Sequence, residues 1–316
     1  VVGSNHKGGV AVDTTLYVIT AVFNPWRYNK RIKLYRDFEE YVNKSGAKLL
    51  TCEVAFGDRD YVVTEADDPF DLRLRTSEEL WHKEKMINLA IHRLPRDWKY
   101  VAWIDADITF ARPDWVQETV HLLQHYQVIQ MFSHAIDTGP NHEHLKTHTG
   151  MMYAYHEEKM HLANNHKYES LHPGFAWAAR RSAIHNLGGL FDVAVLGSAD
   201  RHMALALIEK VELSYPHGLA TGYIEQLQMW QDRCKQHIRK NVGFMQGSIM
   251  HYWHGKKVDR RYQDRWKILV KHAYDPEFDL KPDEYGLWQY TGNKPELEYD
   301  IRKYFRARNE DSIDVD

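Results

Sequence analysis

Residues 100–110 read Tyr-Val-Ala-Trp-Ile-Asp-Ala-Asp-Ile-Thr-Phe, and no other stretch limits the fold as strongly. The apolar run 101–104 is short, contains branched residues and follows a turn-like segment at 95–99. That pattern predicts a buried strand. The strand ends in Asp105 and Asp107, one residue apart. Burying a carboxylate at such a position is costly unless a positive group pairs with it. A divalent cation held by oxygen ligands would do so, and would in turn hold a diphosphate. The plainer alternative is a strand whose last acids are solvated.

The sequence around this strand alternates. Residues 16–23 are an apolar, β-rich run that Asn24-Pro25-Trp26 breaks. Residues 30–43 carry Ile32, Leu34, Tyr35, Phe38 and Val42 at helical spacing, and Ser45-Gly46 stops them. Residues 47–56 predict a second strand, 57–69 an acidic loop, and 78–93 a helix capped by Ser77. After the strand at 101–104 come a helix at about 114–125 and an apolar run at 128–132. This β-α-β-α-β-α-β order implies a parallel sheet with helices on its faces, and ligands gather at the carboxyl ends of such strands. Asp105 and Asp107 sit at one of those ends. No Gly-x-Gly-x-x-Gly follows the first strand and no Gly-Lys-Ser/Thr occurs, which argues against dinucleotide and P-loop sites.

Beyond residue 133 the pattern is less regular. Residues 134–172 are rich in histidine. Pro173-Gly174-Phe175-Ala176-Trp177 leads into a helix at about 181–186, ended by Gly188-Gly189. Asp200 opens the next helix, and 226–239 predicts another. Residues 244–253 form a strand-like run, 259–272 predict a helix, and the last dozen residues are expected to pack poorly.

Composition narrows the function classes. The chain has 316 residues, enough for one large domain or two small ones, with ordinary hydrophobic (43%) and charged (27%) content for a soluble enzyme. Cys52 and Cys234 lack zinc spacing, which argues against a disulfide framework or a cysteine zinc site and points to a reducing setting. No run approaches the ~18 apolar residues of a membrane span. Residues 1–15 lack the apolar core of a signal peptide and read as disordered or appended. The expectation is a soluble, cytoplasmic protein. The net charge of -3 hides an asymmetry: 233–271 holds eleven Lys/Arg and two acids, whereas 272–316 holds six and twelve. A basic block beside an acidic tail suggests a phosphate-bearing ligand, either a nucleotide or a nucleic acid. The alternative is a solvated face neutralised by the tail.

Four features carry chemistry. The first is the Asp105/Asp107 pair. The second is His251-Tyr252-Trp253-His254, whose two imidazoles three apart suit, with a carboxylate, Mn²⁺. The third is Gly197-Ser198-Ala199-Asp200, an acid at a helix start that could serve as a base or simply as a cap. The fourth is Lys256, Lys257, Arg260, Arg261 and Arg265, which follow the histidines and could clamp phosphate oxygens.

In this order, with Gly-Gly-x-x-Asp at 188–192 included, the features resemble the GT-A nucleotide-sugar glycosyltransferases over roughly residues 16–272. The tail at 304–311 resembles chains of that family encoded by tailed phages and viral metagenomes. The resemblance implies an α/β GT-A fold, a central mostly parallel sheet with helices on both faces. It implies a nucleotide-binding half at about 16–135, an acceptor half at about 136–272 and a C-terminal extension at 273–316. Asp107, His251 and His254 would ligate Mn²⁺ or Mg²⁺. Asn24, Glu53, Asp105, Lys256 and Arg260 would contact the nucleotide-sugar. Phe175 and Trp177 would wall the sugar or acceptor pocket. Asp200 would be the base of an inverting transfer, although Ala199 stands where many inverting relatives have a second acid; Asp192 is the reserve.

The leading expectation is therefore a metal-dependent, inverting transferase using a nucleotide-sugar, UDP-linked by preference. Hydroxymethylated pyrimidine in phage DNA is a leading acceptor, reached through the basic segment 233–271, where Trp253, Tyr262 and Trp266 interleave the cations. A glycan or protein acceptor, a metal-dependent nucleotide-sugar hydrolase and a non-catalytic DNA-binding module are the alternatives. Sugar identity and oligomeric state are left open.

Overall fold

The computed structural model describes residues 14–160, 171–255, 264–308 and 310–313. In chain order the elements begin β1 (Leu16–Phe23), α1 (Asn29–Ser45), β2 (Lys48–Phe56), β3 (Asp71–Thr76), α2 (Lys83–Ile91), β4 (Tyr100–Ile104), β5 (Ile108–Phe110), α3 (Trp115–Leu122) and β6 (Val128–Gln130). Next come β7 (His134–Thr138), β8 (His144–Gly150), α4 (Met151–His156), β9 (Leu171–His172), β10 (Ala176–Arg180), α5 (Arg181–Leu187), α6 (Ala199–Leu207) and α7 (Thr221–Arg233). The last are β11 (Val242–Phe244), β12 (Ser248–His251), α8 (Asp264–Lys271), α9 (Pro276–Asp279), β13 (Leu280–Pro282), β14 (Trp288–Tyr290) and α10 (Pro295–Arg306).

The central sheet has seven strands in the order β11-β6-β10-β4-β1-β2-β3. Every neighbour pair is parallel except the two made by β10, which runs against both β4 and β6. The protein is thus a mixed α/β fold with a mostly parallel sheet, as its alternation predicts. All five residues of β4 are buried, which explains its unbroken apolar run.

A second, five-stranded sheet is ordered β5-β12-β7-β8-β9. It matters for function because β5 follows Asp107 directly and pairs antiparallel with β12, setting His251 opposite Ile108. On its other side β12 pairs parallel with β7, setting His251 opposite Asp137.

Several sequence expectations need correction. The helix expected from 78 begins only at Lys83, because the chain bends through Trp81, whose N–H donates to the Val195 carbonyl. Strand β3, between the acidic loop and that bend, was not anticipated; its alternating burial spans only six residues. Residues 176–180 form the unanticipated antiparallel strand β10, which runs straight into the expected helix, α5. The expected strand at 244–253 is two short strands, broken where Gly247 takes φ +135. The helix expected at 259–272 is seen as α8, with 256–263 outside the described residues.

The C-terminal segment also departs from expectation. Leu297, Ile301, Tyr304 and Phe305 on one face of α10 join the main core. Glu310 is buried, and the Trp253 indole donates to the Ser312 carbonyl at 2.7 Å. The final residues described are anchored to the start of α1, where Asp311 accepts from the Asn29 and Lys30 N–H groups and Glu310 pairs with Arg31. No described helix is long and apolar enough to cross a membrane.

Candidate active site

The carboxyl ends of β1 and β4 open into a cleft of about 1140 Å³, and Asp105, Asp107, Asp200, His251 and His254 all line it. Elements remote in sequence bring them together. The turn after β4 carries both aspartates, β12 and the residues after it carry the histidines, and the start of α6 carries Asp200.

The two aspartates have different partners. Asp105 forms an ion pair with Lys83, in the first turn of α2. Its backbone N–H donates to the Phe175 carbonyl at 2.8 Å. Burial raises the Asp105 carboxyl above its usual range, while the Lys83 ammonium opposes the shift. A protein cation therefore already offsets the cost of burying Asp105. Asp107 instead meets imidazoles: its Oδ2 is 3.0 Å from His254 Nε2 and 3.7 Å from His251 Nε2. Burial alone would raise the Asp107 carboxyl, but His251 and His254 outweigh it and hold it well below the usual range. Burial likewise opposes the His251 imidazolium, yet Asp107 and Asp137 raise its pKa to about 9.

The histidine orientations are the telling feature. His251 Nδ1 lies 2.7 Å from Asp137 Oδ1, and His254 Nδ1 lies 3.4 Å from Glu310 Oε2. A carboxylate on Nδ1 orients the ring so that Nε2 is the nitrogen turned toward Asp107. The two Nε2 atoms face one another at 3.3 Å, beside Asp107. One ligand atom each from Asp107, His251 and His254 fits within a 4.8 Å span. Asp107 Oδ1 is buried with no hydrogen-bond partner among the described residues. Two imidazole nitrogens and a carboxylate, one of whose oxygens is the orphaned Oδ1, form a donor set that fits Mn²⁺ or a similar divalent ion. Behind it, Asp137 Oδ2 reaches His148 Nε2 at 2.6 Å, which ties the site to β8.

Asp200 stands in the first turn of α6, after Gly197 and Ser198, both left-handed (φ +86). Its Oδ1 accepts the Arg201 N–H at 2.8 Å. A Cβ added at Gly174 would lie 2.5 Å from Asp200 Oδ2, so the Pro173–Gly174 turn abuts the carboxylate directly. Phe175, the next residue, also has positive φ (+74) and lines the cleft. Non-glycine residues in this conformation cost of order 1–3 kcal/mol and cluster at functional sites. Glu84 adds a further buried acid to the same wall; burial raises its pKa to about 7, against the opposing effect of Lys83.

The other expected residues fall differently. Phe175 lines the cleft and stacks on His172 at 3.8 Å. Trp177 is absent from the lining; it is buried in the core, its indole donating to the Pro173 carbonyl, so it supports the turn from behind. Asn24 and Glu53 do not line the cleft either. The Asn24 amide closes a turn with Tyr28, and the Glu53 carboxylate accepts from the N–H groups of Val62, Val63 and Thr64, pinning the acidic loop. Asp192 holds Asn88 and Lys85 outside the lining, a structural role. Lys256 and Arg260 lie outside the described residues. Lys83, Asp137, His148, Arg308 and Glu310 were missed. Lys83 was readable as a cation near a helix start; the others carried no local signal.

The described part of the basic block is dispersed. Lys235, Lys240, Lys267 and Lys271 pair with Asp232, Glu209, Asp264 and Asp300, and of the described cations in that block only Arg265 lines the cleft.

No protein-family model matches the chain, and no curated protein matches it in sequence. Solved structures of similar shape include nucleotide-sugar transferases. One is a mutant Drosophila β1,4-galactosyltransferase 7 with manganese, UDP-Gal and xylobiose (10% identity, TM-score 0.34); the match covers 62% of each chain, less than two thirds of that enzyme. Another is the Mycobacterium tuberculosis glucosyl-3-phosphoglycerate synthase with Mg²⁺ and UDP (11% identity, TM-score 0.36), covering 82% of this chain and 76% of that one. A third is the Rubrobacter xylanophilus mannosyl-3-phosphoglycerate synthase (11% identity, TM-score 0.40), covering 87% and 84%. Likeness at this level decides nothing about chemistry, which rests on the residues of the cleft.

Proposed function

We propose that this chain is a divalent-metal-dependent glycosyltransferase that moves a sugar from a nucleotide-sugar, a UDP-sugar by preference, to an acceptor hydroxyl with inversion. One observation carries the reading. The Asp107/His251/His254 donor set and Asp200 line one cleft at the carboxyl ends of a parallel sheet, with Lys83, Arg265 and Arg308 around them.

In this reading Asp107, His251 and His254 hold the cation, which when bound would neutralise charge on the donor diphosphate. Asp200 takes the proton from the acceptor hydroxyl. The acceptor oxygen then attacks the anomeric carbon, and the bond from that carbon to the diphosphate oxygen breaks. The nucleoside diphosphate departs, its charge met by the cleft's Lys and Arg side chains. A single displacement of this kind inverts the anomeric centre. Trp177 acts by supporting the turn under Asp200.

The test is a mass-spectrometric transfer assay with Mn²⁺ and a panel of nucleotide-sugars. Acceptors are duplex DNA carrying 5-hydroxymethylcytosine or 5-hydroxymethyluracil, unmodified DNA, glycans, peptides and none. Modified DNA leads the panel on its charge argument, although only Arg265 of the described basic block faces the cleft. A sugar-sized mass gain on one acceptor class supports the transferase and names its acceptor. Free sugar released equally fast with and without acceptor identifies a hydrolase instead. Asp200→Asn is expected to lower kcat by roughly 10²–10⁴-fold, the range of a general base. Asp107→Asn is expected to abolish Mn²⁺ dependence together with transfer. Full transfer in both variants overturns the mechanism.

A further inference from the structure

We propose that the C-terminal strap, residues 306–308 and 310–313, is a working part of the metal site, and that Glu310 is a positioning residue that aims His254 at the cation. The inference rests on the metal reading of Asp107, His251 and His254.

Two arrangements could place a carboxylate at this point. Glu310 could simply be the counter-ion of Arg31, which grips both its oxygens (Nε–Oε2 2.5 Å, Nη2–Oε1 2.7 Å). The histidine geometry favours more than that. Glu310 Oε2 lies against Nδ1 of His254, the ring nitrogen turned away from Asp107, while Nε2 faces Asp107. The other histidine repeats the pattern, with Asp137 on its Nδ1. Both imidazoles are thus backed by a buried carboxylate, the arrangement by which proteins orient metal-bound histidines. Asp137 comes from a strand inside the second sheet. Glu310 comes from a strap that must be docked to act.

The docking is specific. Asp311 accepts from the N–H groups of Asn29 and Lys30 at 3.1 and 3.0 Å. It thereby caps α1, whose own N-cap, Tyr28, offers no side-chain bond. The Tyr28 hydroxyl donates to the Arg308 carbonyl, and Trp253, next to His254, donates to Ser312. Arg31 donates to the Phe23 carbonyl at the end of β1 as well as to Glu310. The strap is thus fastened to the start of α1, through Arg31 to the end of β1, and to the residue before His254. Arg308 and Glu310 also line the cleft. Strap docking and cation binding are therefore coupled, and the coupling must run both ways.

The test is Mn²⁺ binding, read by the EPR signal of the free ion, for the full chain, Glu310→Gln and Asp107→Asn. Glu310→Gln keeps the side chain's size and is expected to weaken binding about 10–100-fold, the usual effect of losing an outer-shell partner. Asp107→Asn is expected to lose binding. Unchanged affinity in Glu310→Gln overturns the strap proposal and leaves the metal reading intact; absence of saturable binding in the unaltered chain overturns both. Hydrogen exchange on the unaltered chain is independent of any variant's folding. Mn²⁺ should slow exchange across the strap, and exchange there that ignores Mn²⁺ overturns the proposal.

Discussion

Single atoms decide the chemistry at the residue scale. Gly174 leaves room for the Asp200 carboxylate: a Cβ there would stand 2.5 Å from Asp200 Oδ2 and 3.2 Å from His172 Cε1. Gly174→Ala should push the Asp200 carboxylate aside. Misplacement by about 1 Å costs roughly 10²-fold in rate, so kcat should fall on that order while affinity for the nucleotide-sugar holds. Steady-state kinetics check this, and an unchanged kcat would show that Asp200 does not need this turn. Overpacking should also lower stability by about 1–3 kcal/mol, read by urea unfolding. Asp105 and Asp107 teach a related lesson. They are neighbours of equal charge, yet one meets an ammonium and the other two imidazoles. Their spacing marks the site, and their partners divide the roles.

At the scale of elements, the proposed base Asp200 depends on how α6 is held. Its His202 is fully enclosed, with Nδ1 2.7 Å from the Ser214 hydroxyl and Nε2 2.9 Å from the Tyr223 hydroxyl. These bonds latch α6 to the turn Val211–Ser214 and to α7. Burial, followed by the positive charge of Arg265, depresses the His202 pKa to about 3. An unfolded histidine takes a proton near pH 6.5, whereas this one resists until about 3. Stability from this group is therefore complete above pH 6.5 and is lost as pH falls from 6.5 toward 3, at up to ~1.4 kcal/mol per pH unit. His202→Gln should flatten the decline between pH 6.5 and 4.5, as followed by thermal melts. Equal acid sensitivity in the variant would contradict this assignment.

At the scale of the molecule, the site joins four regions: the end of β4, the second sheet, α6 and the C-terminal strap. A cation held by Asp107, His251 and His254 would tie the end of β4 to the second sheet and, through Glu310, to the strap, and would stabilise the native state by mass action. At about 100 times its Kd, Mn²⁺ should add about 2.7 kcal/mol and raise the melting temperature, and EDTA should reverse the gain. Asp107→Asn should show no shift. A shift of equal size in that variant would put the ion elsewhere. Charge behaves differently at this scale than its sequence clustering suggests. Lys271, in the basic block, pairs with Asp300 in the acidic tail, so part of the asymmetry along the chain is neutralised within the fold.

The legible part of this protein was local. Strand periodicity and the acids that end β4 are written in consecutive residues, so the mostly parallel sheet could be read directly, as could the candidates Asp105, Asp107, His251 and His254, which the fold brings to one cleft. Asn24 and Glu53 misled because a polar residue at a strand end looks the same whether it faces a ligand or holds its own loop; only the N–H groups of Val62, Val63 and Thr64 decide for Glu53. Trp177 sits on an antiparallel strand, and its placement in the core follows from pairing with β4 and β6, which no local pattern encodes. Asp137 and Glu310 reach the histidines over 114 and 56 positions of chain. Sequence by itself determined which groups could ligate and which strands would carry them, because periodicity and residue chemistry are short-range properties. Tertiary structure alone decided which carboxylate backs which imidazole and which acid is neutralised by lysine, because burial and contact between distant segments exist only once the chain has closed on itself.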